Sequence, residues 1–275
     1  MMTTAPVRPR VVPPRATWRE LDGELDAWAD SGLAATFWWR DDDAATTTPA
    51  LARMAGLSQS MAVPLALAVI PAEAQTDLAA TLDRHPTVTV LQHGWSHVNH
   101  AAASAKKCEL GPDRPADAVL AELAEGRRRL ERLFGPRALP ALVPPWNRIA
   151  PEVAGRLAEV GIHGLSTFGP RHLTHPNVAC VNTHVDPIAW KDGKRFLGEA
   201  ESLGMAVAHL RARRGGAVDT TEPTGLLTHH LVMDDETWAF TERLLSKVRH
   251  HPAALWLPAD TLFGSGLFGA EKGAH

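Results

Sequence analysis

Hydrophobic residues along the chain form short continuous runs, and between these runs apolar residues recur at helical spacing. Short apolar runs bounded by turn residues are typical of buried strands. The run over residues 87–92 is rich in β-branched residues, which favour strands. The predicted strands are the run that ends at Arg40 and residues 63–70, 87–92, 141–143, 163–168, 178–183, 225–229 and 254–257.

Helical spacing is clear over residues 116–134, which follow Pro115 and carry apolar residues on one face and charged residues on the other. The other predicted helices begin at Thr17 or Asp22, begin at Pro151 and end at Gly161, or cover about 195–213 and 235–250. Alternating strands and helices predict a mainly parallel sheet. With about seven or eight strands, we expect an α/β fold that forms a single distorted (β/α) barrel.

Proline content and the limits of the helical pattern divide the chain into three predicted parts. Residues 1–16 contain four prolines, which disfavour regular helix, and we expect an extended N-terminal arm. Residues 17–262 form the predicted barrel, and residues 263–275 are a loose C-terminal tail.

The charge distribution and the cysteine content indicate which classes of partner and which compartment to expect for the protein. The 275 residues include 28 basic and 31 acidic side chains, and no long block of one sign predicts binding to nucleic acid or to a membrane. Two cysteines cannot form a disulfide framework, and the N-terminus lacks the apolar segment of a signal peptide. We therefore expect a cytoplasmic protein with a small-molecule or oligosaccharide substrate, and a homo-oligomer is compatible with the sequence.

Candidate catalytic residues follow the predicted strands, at the end where barrels carry their chemistry. The first strand runs into Arg40-Asp41-Asp42-Asp43, where three adjacent carboxylates repel one another unless a cation or a pKa shift relieves them. An Asx turn or a helix cap is the alternative explanation.

A pair of histidines follows the third predicted strand, in the segment His93-Gly94-Trp95-Ser96-His97. Neutral imidazoles are common zinc ligands, and two of them with one carboxylate leave coordination positions open for water and substrate. Gly94 occupies the position of the glutamate base of zincins, so that mechanism is not expected.

Three further segments end predicted strands: Val143-Pro144-Pro145-Trp146-Asn147-Arg148, Asp186-Pro187-Ile188-Ala189-Trp190 and Leu226-Leu227-Thr228-His229-His230. Trp146 and Trp190 are candidates for stacking on a flat apolar face of a substrate. His229 is placed to give a proton to a leaving group, and Asp186 to orient a histidine.

In this order, RDDD, HGWSH, VPPWN, DPIAW and LLTH resemble the motifs of the polysaccharide deacetylase superfamily, the carbohydrate esterase group with the NodB homology domain. The resemblance covers about residues 35–260. It implies a divalent metal, typically Zn²⁺ with Co²⁺, Ni²⁺ or Mn²⁺ also possible, and hydrolysis of an N-acetyl or O-acetyl group from a carbohydrate-like substrate.

The same resemblance implies roles for individual residues. We expect Asp41 as general base, His229 as general acid, and Asp42, His93 and His97 as metal ligands. A shifted register would make Asp43 the ligand instead. The residues expected to contact the substrate are Trp146, Asn147, Arg148, Asp186 and Trp190.

Two departures from the family pattern leave alternatives open. Val143 stands where the family has an arginine, which Arg40 or Arg148 could replace, and His230 follows the late histidine where an acid is common. The alternative functions are an allantoinase-like hydrolase of a small non-sugar amide, and a barrel without catalysis. An iron oxygenase would also use two histidines and a carboxylate, but strand–helix alternation opposes its usual fold.

Overall fold

Eight of the ten strands in the described part of the chain form one parallel sheet. The computed structural model describes residues 14–171, 175 and 177–264. In chain order the strands are β1 Ala35–Ala44, β2 Leu65–Val69, β3 Val88–His93, β4 Ala138–Val143, β5 Gly164–Leu165, β6 Ala179–Cys180, β7 Ile188–Ala189, β8 Arg195–Phe196, β9 Thr224–Thr228 and β10 Ala254–Trp256. Strands β7 and β8 form a separate antiparallel pair.

Strand β1 is the centre of this sheet. It pairs with β10 through its first residues, with β2 through its last residues, and with β9 along its other edge. From β2 the order continues through β3, β4 and β5 to β6. The segment after β6 then bridges to β9 through Val185 and Leu226, so the sheet curls round on itself. The predicted α/β fold with a distorted barrel is therefore confirmed.

Helices connect most of the strands and cover the outer face of the sheet. The bounds are α1 Trp18–Asp30, α2 Pro49–Met61, α3 Thr76–Leu82, α4 Ala116–Phe134, α5 Pro151–Ala154, α6 Glu199–Arg214, α7 Asp235–Arg249 and α8 Ala259–Phe263. Short 3₁₀ turns cover Gly135–Arg137, Pro145–Asn147, Leu157–Val160 and His230–Val232. No helix in the described residues is both long and apolar enough to cross a membrane.

Sequence signals at the helix ends explain several of these bounds. Thr17 caps α1 in a reciprocal capping box with Glu20, so of the two predicted starts the helix uses Thr17. Helix α4 covers the predicted range, and Gly161 ends the segment that begins at Pro151. Helices α2 and α3 were not predicted, although Thr48 and Pro49 supply a cap and a first-turn proline for α2.

The two faces of β1 belong to different parts of the core, because successive side chains of a strand alternate in direction. Phe37 and Trp39 pack in the layer beneath the helices. Trp38 packs in a separate inner cluster that includes Phe263 of α8. The register of β1 therefore decides which of the following acidic residues enter the barrel.

The ends of the chain fall partly outside the described residues. Residues 1–13 of the predicted arm and residues 265–275 of the predicted tail lie outside them. Of the arm, Ala16 donates a backbone hydrogen bond to Ala200 of α6, and Arg15 pairs with Glu201.

Candidate metal centre and active site

The three acidic residues of β1 have different surroundings although they are adjacent in sequence. Asp42 continues the inner face set by Trp38 and Arg40, whereas Asp41 lies on the outer face with Trp39. Asp43 has a positive φ of 71°, which turns its side chain away from regular strand alternation. One short segment thus directs three carboxylates to three different sets of partners.

Asp43 is the carboxylate that meets the two histidines. Its Oδ1 lies 3.0 Å from His93 Nε2 and 3.3 Å from His97 Nε2. Two ligands bound to one tetrahedral zinc at about 2.0–2.1 Å are roughly 3.3 Å apart, so these atoms are spaced as ligands of a common ion. Asp42, the ligand expected from the sequence, is not part of this group, and the alternative register with Asp43 matches the geometry.

The hydrogen bond at His93 Nδ1 leaves Nε2, the other ring nitrogen, available to bind a metal. His93 Nδ1 lies 3.0 Å from the carbonyl oxygen of Val143, to which it donates its proton. In the neutral ring this places the free lone pair on Nε2, facing Asp43 and His97. The donor set of two imidazole nitrogens and one carboxylate oxygen suits zinc and similar divalent ions.

Glu109, a fully buried residue, anchors the loop between the two histidines by hydrogen bonds to its backbone. Its carboxylate accepts hydrogen bonds from the backbone N–H groups of Trp95 and Ser96 at 3.3 and 2.7 Å. Gly94 has a φ of 58°, and a Cβ there would collide with Glu109 Oε2 and lie 2.7 Å from the Pro145 ring. Only glycine fits this position, which brings His97 back toward His93.

The pKa values of the triad show strong mutual interaction. Burial alone would raise the pKa of Asp43, but the hydrogen bond and charge of His93 hold it well below its usual range. Burial would lower the pKa of His93, and Asp43 and Asp42 raise it instead. Burial and the neighbouring His93 lower the pKa of His97. The carboxylate is thus ionised and stabilised by groups that a cation can replace.

Asp42 is held by Arg40, which is fully buried. Arg40 Nε lies 2.8 Å from Asp42 Oδ1, and Arg40 Nη2 donates to Asp42 Oδ2 at 3.0 Å. One hydrogen bond and one close charge contact thus restrain the Asp42 carboxylate. Arg40 also donates to Asn147 Oδ1 at 2.8 Å and to Ser166 Oγ at 2.7 Å. Of Arg40 and Arg148, the two residues that the sequence offered in place of an arginine at Val143, it is Arg40 that contacts an acidic residue of the site.

His229 faces Asp42 across the mouth of the barrel. Its Nε2 lies 4.0 Å from Asp42 Oδ2, and its ring meets the edge of Trp190 with centroids 4.5 Å apart. Trp190 Nε1 donates to Asp186 Oδ2 at 2.7 Å. Burial raises the pKa of Asp186, while the charge of His229 opposes that rise. The hydrogen bond from Trp190 to Asp186 thus orients the indole ring, and the ring covers one side of the His229 imidazole.

Asp41, the base expected from the sequence, lies on the other face of β1 from this group. Its carboxylate accepts hydrogen bonds from Thr228 Oγ1 at 2.7 Å and from the backbone N–H of His230 at 3.0 Å, and it pairs with His230 Nδ1. Burial would lower the pKa of His230, and the charge of Asp41 raises it. Asp41 therefore anchors the segment that carries His229, and the position facing His229 is occupied by Asp42.

The Pro-Pro-Trp loop supplies the opposite wall of the mouth. The Trp146 ring lies 4.4 Å from the His97 ring, and both Trp146 and Asn147 have positive φ values, of 55° and 56°. Arg148 donates to the backbone oxygen of Lys107 at 2.7 Å, and within the described part of the chain it forms no hydrogen bond or ion pair with the three aspartates of β1. Of the predicted substrate-contacting residues, Trp146 and Trp190 border the mouth and Asn147 supports Arg40.

Sequence reasoning did not identify Glu109 or Ser166 as part of the site. Glu109 lies between Cys108 and Leu110, which are both buried, but Lys106 and Lys107 precede it in sequence and give the segment a polar pattern. Ser166 follows β5 on the same edge as the other strand ends and receives a hydrogen bond from Arg40.

Solved structures share this fold. A protein from Mycobacterium smegmatis, provisionally named a polysaccharide deacetylase, is 17% identical, with 92% of this chain and 93% of that chain covered and a TM-score of 0.56. The peptidoglycan deacetylase PdaC from Bacillus subtilis is 14% identical, with 83% and 90% covered and a TM-score of 0.51. A carbohydrate esterase family 4 (CE4) esterase from Streptococcus mutans is 11% identical, with 85% and 87% covered and a TM-score of 0.51.

These identities are low, so the likeness concerns the fold. No protein-family model matches the chain, and no curated protein matches it. The expected resemblance to polysaccharide deacetylases is confirmed at the level of chain topology. What the site does must then be argued from its own residues.

Proposed function

We propose that this protein is a metal-dependent hydrolase that removes an acetyl group from an N-acetylated or O-acetylated, carbohydrate-like substrate. The observation that carries the proposal is the meeting of Asp43, His93 and His97 at the mouth of the barrel, beside Asp42 and His229. The fold shared with deacetylases and esterases supports the reaction class. Attack by water on the acetyl carbonyl breaks the bond to nitrogen or oxygen and gives acetate and the free amine or alcohol.

In this proposal Asp43, His93 and His97 hold one divalent cation, with zinc as our first choice. When bound, the cation would supply a positive centre that polarises a carbonyl oxygen and acidifies water. The three residues provide one face of a coordination sphere, so the remaining positions are open to substrate and water.

Asp42 is the general base in our revised assignment, and His229 stays the general acid. Arg40 holds Asp42 in one orientation, in which its carboxylate is placed to accept a proton from water. Protonated His229 donates its proton to the departing nitrogen or oxygen. The separation of 4.0 Å between the two side chains lets both reach one reacting group.

The two tryptophans border the substrate position in this proposal. Trp190 packs against His229 and Trp146 against His97, so a sugar ring or another flat apolar group held between them would lie over the acid and the cation. Trp190 is 40% exposed although it is a large apolar side chain, which favours a role in binding.

The test is acetate release by the zinc-loaded protein from acetylated amino sugars and acetylated xylose oligomers, with small cyclic ureides as the alternative panel. Asp42→Asn should lower kcat by about 10²–10⁴-fold while metal content is unchanged, because the contribution of a general base is of that size. Asp83→Asn, at an exposed carboxylate, is the matched control and should keep full activity.

Two results would contradict this proposal. Zinc-loaded protein that releases no acetate from any acetylated substrate would refute the reaction class. Full turnover by Asp42→Asn would refute the assignment of the base.

A further inference from the structure

One side of the barrel mouth opens into a cavity of about 560 Å³, a size typical of ligand sites. Asp43 and His97 form part of its wall, so it is continuous with the candidate metal centre. We call it the Glu73 cavity, after the carboxylate on its exposed side. It lies toward the loops that follow β1 and β2, where no residue was expected to contact the substrate.

The lining of the Glu73 cavity combines apolar surface with negative charge. Val98 and Leu231 line it and are 49% and 54% exposed, although large apolar side chains are usually covered. The Glu73 side chain has no ion-pair or hydrogen-bond partner among the described residues. Among the described residues that line the cavity there is no lysine or arginine. His230 also lines it but is already paired with Asp41.

The charge near the two tryptophans that border the mouth is positive, because a lysine lies close to each of them. Lys107 Nζ lies 6.0 Å from the Trp146 ring centroid, and Lys194 Nζ lies 6.0 Å from the Trp190 ring centroid. The mouth of the barrel is thus asymmetric, with a lysine beside each tryptophan and a free carboxylate in the cavity. A ligand that spans the mouth meets opposite potentials on different sides, which fixes its orientation.

We propose that the Glu73 cavity is a subsite for a protonated amine carried by the substrate, and that Glu73 determines this specificity. The proposal rests on the proposed function and names the substrate class within it: an acetylated compound with an apolar stretch and a free ammonium group. A cation bound by Asp43 would repel the ammonium at the inner wall, so the ammonium belongs at Glu73, on the exposed side. The negative charge of Glu73 disfavours a substrate that carries a carboxylate or a phosphate at this position.

The first experiment measures binding by titration calorimetry and does not depend on turnover. The probes are N-acetylputrescine, N-pentylacetamide and 5-acetamidopentanoate, which differ in ending with an ammonium, a methyl or a carboxylate group. Wild type should bind the ammonium probe about two- to fivefold more tightly than the methyl probe, since an exposed charge pair contributes that much.

Two variants at one position separate charge from shape. Glu73→Gln should remove the preference for the ammonium probe, and Glu73→Lys should reverse it in favour of the carboxylate probe. Neither variant should change binding of the methyl probe by more than about twofold. Glu236→Gln, at an exposed glutamate on α7 that does not line the cavity, is the control and should keep the wild-type preference.

A second arm distinguishes the sources of the amine. A disaccharide of N-acetylglucosamine and glucosamine is compared with its fully acetylated form, under the same variants. A Glu73-dependent preference for the free amine in the sugar pair alone identifies a partly deacetylated amino sugar. The same preference in the linear pair alone identifies an alkyl diamine. Either result supports the subsite.

Failure of the subsite and failure of the proposed function give different results. Equal binding of the three linear probes and of the two disaccharides, unchanged by Glu73→Gln and Glu73→Lys, would refute the subsite even if acetate is released. Charge-dependent binding without acetate release by the zinc-loaded enzyme would support the subsite and contradict the hydrolase.

Discussion

The described residues contain two groups of two histidines and one carboxylate, and the surroundings of the two groups differ. In the first, Asp43, His93 and His97 meet at the mouth of the barrel. In the second, His184, His209 and Glu222 are fully enclosed between α6, β9 and the segment after β6. In both groups the possible ligand atoms lie within 4.8 Å of one another, so the hydrogen bonds around them must decide which group can hold an ion.

In the second group His184 already uses the lone pair of its Nδ1 as a hydrogen-bond acceptor. Gly225 N–H donates to His184 Nδ1 at 3.0 Å, so the neutral ring carries its proton on Nε2, which lies 3.5 Å from Glu222. The rings of His184 and His209 stack at 3.4 Å with 16° between their planes. Stacked rings cannot both point a lone pair in-plane at one ion. In the first group, His93 Nδ1 donates to a carbonyl and leaves Nε2 free.

The two groups contain the same residue types but differ in what the histidine Nδ1 atom does. A ring whose Nδ1 donates a hydrogen bond keeps Nε2 free for a metal, whereas a ring whose Nδ1 accepts one does not. Glu222 accepts backbone hydrogen bonds from Arg171 and Asn182, each at 2.9 Å, and so ties the segment after β6 to the start of β9. We infer that the second group closes the barrel and that the first serves chemistry.

The largest expected effect on stability is at Glu222. Glu222→Ala leaves the backbone N–H groups of Arg171 and Asn182 without their acceptor and should lower the free energy of unfolding by about 3 kcal/mol, measured by urea denaturation. Asp43→Ala in metal-free protein is the matched change in the first group and should cost about 1 kcal/mol. An equal cost for the two substitutions would contradict the division between a structural and a chemical cluster.

A smaller effect is expected at the glycine that shapes the first group. Gly94→Ala places a Cβ against Glu109 and the Pro145 ring and strains a positive φ, which should cost about 2 kcal/mol and weaken metal binding. Gly193→Ala is the control, because Gly193 has a φ of 72° but nothing within 4 Å of its Cβ position. It should cost about 1 kcal/mol and leave metal affinity unchanged. Metal affinity lost equally in both variants would contradict the role of Gly94.

The second group also predicts a pH dependence. Burial lowers the pKa of His209 to about 2, with help from His184 and Arg213, and burial lowers the pKa of His184. The unfolded chain binds protons below about pH 6.5 whereas the folded His209 does not, so stability is lost as the pH falls from there.

The expected slope for His209 is at most about 1.4 kcal/mol per pH unit. His209→Asn should flatten the decline in urea midpoint between about pH 6 and pH 5 relative to wild type. A decline of the same slope in the variant would contradict a lowered pKa of His209 in the folded protein.

Much of the fold follows from local signals in the sequence. The strand runs, the proline before α4 and the cap at Thr17 depend on neighbouring residues, and they predicted the elements where they occur. The short antiparallel pair β7 and β8 carries no long apolar run and was not predicted.

The site was less accessible from sequence because it depends on register. The motif order predicted which segments meet, but Asp41, Asp42 and Asp43 are chemically identical. A shift of one position along a strand reverses the face of every side chain, and the positive φ of Asp43 has no signal in its neighbours. The role of Arg40 required knowing that it shares the inner face with Asp42.

Metal content per chain tests the central claim most directly. Protein purified without added metal and then equilibrated with zinc should hold about one ion per chain, as one three-ligand site requires. His93→Ala/His97→Ala should hold none, whereas His209→Asn and the surface variant His250→Ala should keep it, with circular dichroism confirming the fold of each. An ion retained in His93→Ala/His97→Ala and lost in His209→Asn would contradict the account.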